Sequence, residues 1–182
     1  MSTLKVGTIQ DHANSNTAIT IGSDGFIIPK IRTLVISKNG NQNISAASST
    51  TVTTWNTHVQ SGLTWDDGNN RVNISTAQAG TYEIHYQLSA YMPSNDGGDI
   101  RANVLKNGTK EFGAYNLVVQ GSTGTNPFDL RHYTMDVHGF VTVTNGDNIS
   151  FEAYINTSGT ATVFAGDGNG ARATNVIMKQ LT

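Results

Sequence analysis

Residues 82–92 (YEIHYQLSAYM) form the most regular pattern in this chain, and its period is two. On an extended backbone one side carries Tyr82, Ile84, Tyr86, Leu88 and Ala90. The other side carries Glu83, His85, Gln87, Ser89 and Tyr91. Such alternation is typical of a β-strand that buries one face and turns the other outward. Because no window of a dozen residues has helical spacing, we expect a chain built from strands.

Shorter β-branched and aromatic runs occupy most of the remaining sequence, and Gly or Asn separates them. With residues 82–92 they predict about eight to ten strands, the number expected of a jelly roll. The other segments that are candidates for these strands are residues 31–37, 52–55, 63–65, 72–74, 100–105, 110–119, 133–143, 149–155, 161–164 and 174–181. Asn107 and Gly108 predict a tight hairpin turn between two of them. The predicted loops are residues 38–51, 93–99 and 121–127.

The first thirty residues differ from the rest of the chain. Residues 4–9 and 18–21 predict two short strands, joined by a polar loop at 11–17. A two-stranded unit is marginally stable on its own in water, so we expect this segment to dock on a partner. The sequence therefore predicts an N-terminal β extension over residues 1–30 and a jelly-roll domain over residues 31–182.

Charge and cysteine content exclude several classes of function. Charged residues make up 13% of the chain, and the net charge is −2, so no basic surface for nucleic acid is expected. The absence of cysteine excludes disulfide scaffolds, thiolate zinc sites and cysteine nucleophiles. No apolar run is long enough to cross a membrane. The first ten residues have no apolar signal region, so we expect folding in a cytoplasm.

Several passages from Leu63 to the C-terminus resemble the C1q/TNF-like jelly-roll family. They are TAQAGTYEIHY at 76–86, KNG at 106–108, VHGFVTV at 137–143 with GDNI at 146–149, and a closing VIM at 176–178. The resemblance implies an all-β, antiparallel jelly-roll sandwich. It also implies a homotrimer in which aromatic and aliphatic side chains of one sheet pack around a threefold axis. The candidates for core or trimer packing are Tyr82, Ile84, Tyr86, Phe140 and Phe151.

The N-terminal segment has a resemblance of its own. The runs LKVGTIQ at 4–10, AITI at 18–21 and DG at 24–25 are similar to short β motifs at the attachment ends of bacteriophage fibre and virion proteins. This similarity implies attachment to capsid or tail through Leu4, Val6, Ile9, Ile19 and Ile21. Secreted C1q relatives have a collagen stalk and a signal peptide; we expect neither here, so complement-type activity is not carried over.

Three groups of residues can each be interpreted either as a binding site or, more simply, as ordinary structural positions. His132, Asp136 and His138 share one side of a predicted strand; they are either an ion site tripled at a trimer axis or solvated polar positions. Trp55 and Tyr91, with Trp65, are either a platform for sugar rings or packing residues. The acidic runs at 66–70 and 167–170 are better explained as turns than as calcium loops.

These observations predict a non-enzymatic structural protein of a bacteriophage virion. We expect a homotrimeric jelly-roll module that projects from capsid or tail as a decoration protein, head fibre or short tail fibre. It would be assembled in the bacterial cytoplasm and held by other virion proteins. No catalytic residue, cofactor or metal site is assigned, and neither nucleic acid nor membrane insertion is expected. The alternative is a tail-fibre module that binds a host-surface receptor or glycan, with Trp55 and Tyr91 as candidate ligand-binding residues.

Overall fold

The computed structural model describes residues 8–10, 17–21, 27–28, 31–92, 98–118, 132–157, 159–165 and 173–181. The chain divides into two compact units, Met1–Ile31 and Arg32–Thr182. The first unit contains an antiparallel sheet in the order β1-β2-β3, made of β1 (Thr8–Gln10), β2 (Thr17–Ile21) and β3 (Ile27–Ile28). Of the predicted attachment residues, Ile9 lies on β1, and Ile19 and Ile21 lie on β2. Leu4 and Val6 lie outside the described residues.

Thirteen strands are described in the second unit. They are β4 (Thr33–Lys38), β5 (Gln42–Ile44), β6 (Ser48–Thr51), β7 (Trp55–Ser61), β8 (Trp65–Asp66), β9 (Arg71–Asn73), β10 (Gly80–Tyr91), β11 (Gly98–Lys106), β12 (Thr109–Val118), β13 (His132–Val143), β14 (Asn148–Asn156), β15 (Ala161–Val163) and β16 (Asn175–Gln180). One 3-10 turn, Thr76–Gln78, precedes β10. None of the described segments is a helix long and apolar enough to span a membrane.

These strands form two antiparallel sheets. In the first sheet the order is β5-β15-β10-β16-β4-β7, and β13 pairs with β10 along its whole length. In the second sheet the order is β12-β11-β14-β9-β8, and β6 pairs with β14. Inward side chains of both sheets share one apolar core, which gives the sandwich of a jelly roll. The all-β, antiparallel architecture predicted from the sequence is confirmed.

An aromatic cluster lies in this core. Tyr82, Ile84, Tyr86 and Phe151 are fully buried. The Phe151 ring centroid lies 5.3 Å from that of Tyr86, 6.0 Å from Trp55 and 6.1 Å from Trp65. Each such aromatic pair adds about 0.5–1.5 kcal/mol to the free energy gained by burial alone. Phe151 therefore joins the inner faces of both sheets.

For two side chains the structure decides between interpretations that the sequence left open. Trp55 is 5% exposed and its indole N–H donates to the Val52 carbonyl at 2.8 Å, so its ring faces the core and offers no stacking surface. Phe140 is 59% exposed, because even-numbered residues of β13 point away from the core, so it does not pack inside its own subunit.

Two segments also have more strand structure than their composition indicates. The polar composition of residues 38–51 predicts a loop, but this segment contains β5, which pairs with β15, and β6, which pairs with β14. The strand expected at 52–55 instead starts at Trp55 and runs to Ser61 as β7. All three strands lie on sheet edges and only Ile44 and Trp55 among their residues are buried. Because backbone pairing is enough to hold these strands in place, their sequences show little alternation of apolar and polar residues.

Two turns that carry the family resemblance are joined in space. Asn107 and Gly108 have φ of 52° and 76°, as the predicted tight hairpin turn requires. The Asn107 amide donates to Asp147 Oδ1 at 2.7 Å, and the Asn107 side-chain oxygen accepts from the Asn148 backbone at 2.9 Å. The Thr144 backbone N–H and the Asn107 amide lower the pKa of the Asp147 carboxyl to about 2. The two turns thus fix the hairpin β11–β12 against the connection from β13 to β14.

Candidate functional site

The outward side of β13, β10, β16, β4 and β7 is called the first outer face here. Antiparallel register sets the order of its side chains. His138 of β13, His85 of β10 and Ile177 of β16 lie in one row, which Val35 and Val59 continue. The neighbouring row contains Phe140, Glu83 and Lys179.

Two histidine–carboxylate pairs cross between β10 and β13. His138 Nε2 lies 2.8 Å from Glu83 Oε1, and His85 Nε2 lies 3.1 Å from Asp136 Oδ1. Gln87 also donates to Asp136 Oδ1 at 3.0 Å, and the two imidazole rings meet edge-on at 6.2 Å. These side chains are roughly half exposed, so each pair contributes only about 0–1 kcal/mol to stability. Their main effect is to give each carboxylate a partner within the face.

Apolar side chains lie beside these pairs. Val59 is 43% exposed, Ile177 is 42% exposed and Phe140 is 59% exposed. An open pocket of about 420 Å³ on the same face is lined by Glu83, His85, His138, Ile177 and Lys179. Exposed apolar groups gathered on one sheet face are typical of a protein-interaction surface.

His132, Asp136 and His138 share the outward side of β13, as the sequence predicted, but they do not converge. Six residues of strand separate His132 from His138, which is about 20 Å at the usual rise per residue. His132 instead stacks on Phe164, with ring centroids 5.2 Å apart. Within the described part of the chain, no group of three or more His, Asp or Glu side chains is arranged to hold a metal ion.

The predicted sugar platform is not formed. Trp55 and Trp65 face the core, whereas Tyr91 lies on the outward side at the far end of β10. The Tyr91 ring centroid is 5.1 Å from His132 and 6.5 Å from Phe164. The two candidate ligand-binding residues, Trp55 and Tyr91, are therefore not brought together.

A second group of residues lies on the outward side of β12, β11, β14 and β6, called the second outer face here. Arg101 of β11 lies opposite Tyr115 of β12 and Tyr154 of β14. Its guanidinium carbon is 5.4 Å from the Tyr115 ring centroid and 4.6 Å from that of Tyr154. Leu117 of β12, in the adjacent row, is 58% exposed.

Sequence reasoning did not single out Arg101, Tyr115 or Tyr154. The turn at Asn107 and Gly108 was the available signal, since a two-residue turn fixes the register of a hairpin. That register would place Ala114, not Tyr115, opposite Arg101. A bulge shifts the pairing between Val104 and Leu105, and this shift turns Tyr115 outward.

Comparisons with known proteins show the fold. No protein-family model and no curated protein matches this chain. Among solved structures, Eiger TNF from S. frugiperda matches at 15% identity, a TM-score of 0.54, and coverage of 84% of this chain and 94% of that one. Murine APRIL at pH 5.0 matches at 13% identity, a TM-score of 0.57, and coverage of 84% and 100%. The chain has a TNF-like jelly-roll fold. Identities this low show only that the folds are alike. The roles of individual residues are therefore inferred from the chemistry of the two outer faces.

Proposed function

We propose that this chain is a non-enzymatic bacteriophage virion protein that acts as a homotrimeric jelly-roll module. The main support for the trimer is the chemistry of the first outer face, on which Val59, Phe140 and Ile177 are exposed together with the paired charges. In the trimer this face of each subunit packs around the threefold axis, and the C1q/TNF-like resemblance supports the same arrangement.

The chemistry of the first outer face suits a contact between copies. Burying a charge without a partner is costly, but each carboxylate here already contacts a histidine of the same subunit. Covering Val59, Phe140 and Ile177 removes apolar surface from water, which contributes about 25 cal/mol per Å² before the cost of association is subtracted. A closed threefold arrangement covers this face in all subunits at once.

The virion part of the proposal rests on the first unit. Residues 4–10, 18–21 and 24–25 are similar to attachment motifs of phage fibre and virion proteins. Leu4, Val6, Ile9, Ile19 and Ile21 would bind a capsid or tail protein, and the second unit would project outward. The chain would be assembled in the host cytoplasm and reside in the virion.

The absence of a catalytic role is also part of the proposal. The histidines of the first outer face are held by carboxylates at an open pocket, whereas acid–base and nucleophilic chemistry gains from a site that excludes water. Binding of a host-surface glycan is the second candidate function. The second outer face favours it, because Tyr115, Arg101 and Tyr154 lie together there and the Tyr115 ring is exposed.

Light scattering after size-exclusion chromatography tests the trimer. We expect a mass three times the 19.4 kDa of the chain, and a monomer for Ile177→Asp. Leu117→Asp is the matched control, because Leu117 has a similar exposure but lies on the second outer face; it should remain trimeric. A monomeric wild-type chain, or an unchanged trimer for Ile177→Asp, would contradict the assigned interface.

Immunogold electron microscopy tests the virion assignment. Antibodies against the chain should label intact phage particles at the capsid or the tail. Removal of residues 1–30 should abolish labelling of particles while leaving the expressed second unit trimeric. Label in host lysate but not on purified particles would contradict the virion role and leave the trimer result standing.

A further inference from the structure

The second outer face presents a row of three side chains. Tyr115, Arg101 and Tyr154 are direct neighbours on β12, β11 and β14. Tyr115 is 59% exposed, and the Arg101 guanidinium carbon lies over both phenol rings, 5.4 Å from the Tyr115 centroid and 4.6 Å from the Tyr154 centroid. Two strand spacings separate the outer members of the row, which makes it about 10 Å long.

Asp99 fixes Arg101 and compensates its charge. The guanidinium donates from Nε and Nη2 to Asp99 Oδ2 at 2.9 and 2.6 Å, and Asp99 is only 6% exposed. Paired in this way, the guanidinium adds little net charge to the row. The row is therefore suited to an uncharged group that stacks on the exposed Tyr115 ring better than to a phosphate or sulfate.

Oriented hydrogen-bonding groups lie in the adjacent row. Glu152 Oε1 accepts from the Asn103 amide at 2.8 Å and from the Ser49 hydroxyl at 3.2 Å. Asn103 can lie against β12 because Gly113 opposite it has no side chain; a Cβ there would collide with the Asn103 side-chain oxygen and with the Ala102 carbonyl oxygen. Among the described residues none donates to the other Glu152 oxygen, Oε2. A fixed carboxylate oxygen therefore lies about 7 Å from the tyrosine row, two residues along the strand.

From these two rows we infer that the second outer face binds a neutral oligosaccharide. The C–H face of one sugar ring stacks on the exposed Tyr115 ring, and a hydroxyl of the next ring along donates to Glu152 Oε2. The length of the Tyr115–Arg101–Tyr154 row accommodates about two sugar rings. The residues paired with Glu152, Asn103 and Thr51, are uncharged, and Arg101 is already held by Asp99, so the surface disfavours sialylated and sulfated sugars.

The inferred site is separate from the proposed trimer interface. It lies on the outward side of the second sheet, whereas the interface lies on the outward side of the first. The site also differs from the platform expected at Trp55 and Tyr91. Its occupancy does not depend on the trimer, so the two proposals can fail independently.

An array of printed neutral, sialylated and sulfated oligosaccharides, probed with the labelled full-length chain, tests the inference. We expect binding to neutral members, followed by titration of the best one by isothermal calorimetry. Tyr115→Ala should weaken that affinity roughly tenfold through loss of the ring. Tyr115→Phe should retain it, since the ring remains, and Glu152→Gln should weaken it because an amide nitrogen replaces one acceptor oxygen.

Tyr91→Ala is the control, because it removes an outward tyrosine of the first sheet and should leave the affinity unchanged. Binding to no neutral glycan, or only to sialylated or sulfated glycans, would overturn the inference. Equal affinity for Tyr115→Ala and the wild-type chain would also overturn it. Loss with Tyr91→Ala alone would move the site to the far end of β10. Circular dichroism of each variant separates a lost site from a lost fold.

Discussion

The two outer faces of the sandwich cover the same core but have different chemistry. On the first outer face, imidazoles contact carboxylates across β10 and β13, and aliphatic groups such as Ile177 lie beside them. On the second, Arg101 lies between two tyrosines and is held by a buried aspartate. The inward residues of both sheets are alike in being apolar. The difference shows that inward residues specify the fold and outward residues specify what each face contacts.

Phe151→Ala should have the largest effect on both faces, because this ring contacts aromatic residues from several strands beneath them. We expect a loss of about 3–5 kcal/mol in the free energy of unfolding, measured by urea denaturation. Tyr115→Ala, at an exposed position, should change it by only about 0.5 kcal/mol. Similar losses in the free energy of unfolding for the two variants would mean that the buried Phe151 ring does not stabilise the sheets beneath both faces.

Gly139→Ala tests the seam at which β13 of the first sheet approaches β12 of the second. A Cβ on Gly139 would lie 2.7 Å from the Phe112 ring. We expect a loss of about 1–3 kcal/mol through overpacking, measured by urea denaturation. Combining it with Phe112→Leu should recover part of the loss; strict additivity of the two changes would argue against a contact at this seam.

Asp147→Asn tests the turns that fix the second sheet. The pKa of Asp147 is lowered from its ordinary value of 3.8 to about 2, so its stabilising contribution is present above pH 4 and is lost as the pH falls through 2. We expect Asp147→Asn to melt at a lower temperature than the wild-type chain at pH 7. The difference should shrink toward pH 2.

Thermal unfolding followed by circular dichroism at several pH values measures this difference. Asp67→Asn, at an exposed turn position, is the control and should leave the melting temperature nearly unchanged at pH 7. A pH-independent difference between Asp147→Asn and wild type would show that the carboxylate charge is not what joins the two turns.

Thr54→Gly should have the smallest effect, and it is limited to the edge of the first sheet. Thr54 precedes β7 with φ of 61°, a conformation that β-branched residues rarely adopt. Its carbonyl accepts from the Asn39 backbone at 2.7 Å, which holds it in place. Glycine relieves this strain at some cost in chain entropy, so we expect a gain of about 0.5 kcal/mol by urea denaturation. A loss of stability would show that the threonine side chain contributes more than its backbone strain costs.

Part of the fold and little of the candidate site could be predicted from the sequence. The strand at residues 82–92 was predictable because its alternation is long, and the hairpin turn because Asn107 and Gly108 suit positive φ. The edge strands β5 and β6 were missed, since backbone pairing forms them without an apolar pattern. The sequence left Trp55 open between a sugar platform and packing, because its burial depends on tertiary contacts with Trp65 and with the distant Phe151.

The sequence by itself determined the all-β class, the two sides of β10 and the position of the tight turn. These features depend on local periodicity and on the φ preferences of single residues. The tertiary structure decided that His85 lies beside His138, and that Arg101 lies between Tyr115 and Tyr154. Strand pairing sets these neighbours, and a shift of one residue turns a side chain to the opposite face. The bulge between Val104 and Leu105 makes that shift in β12, so the composition of the second outer face is a property of the folded hairpin.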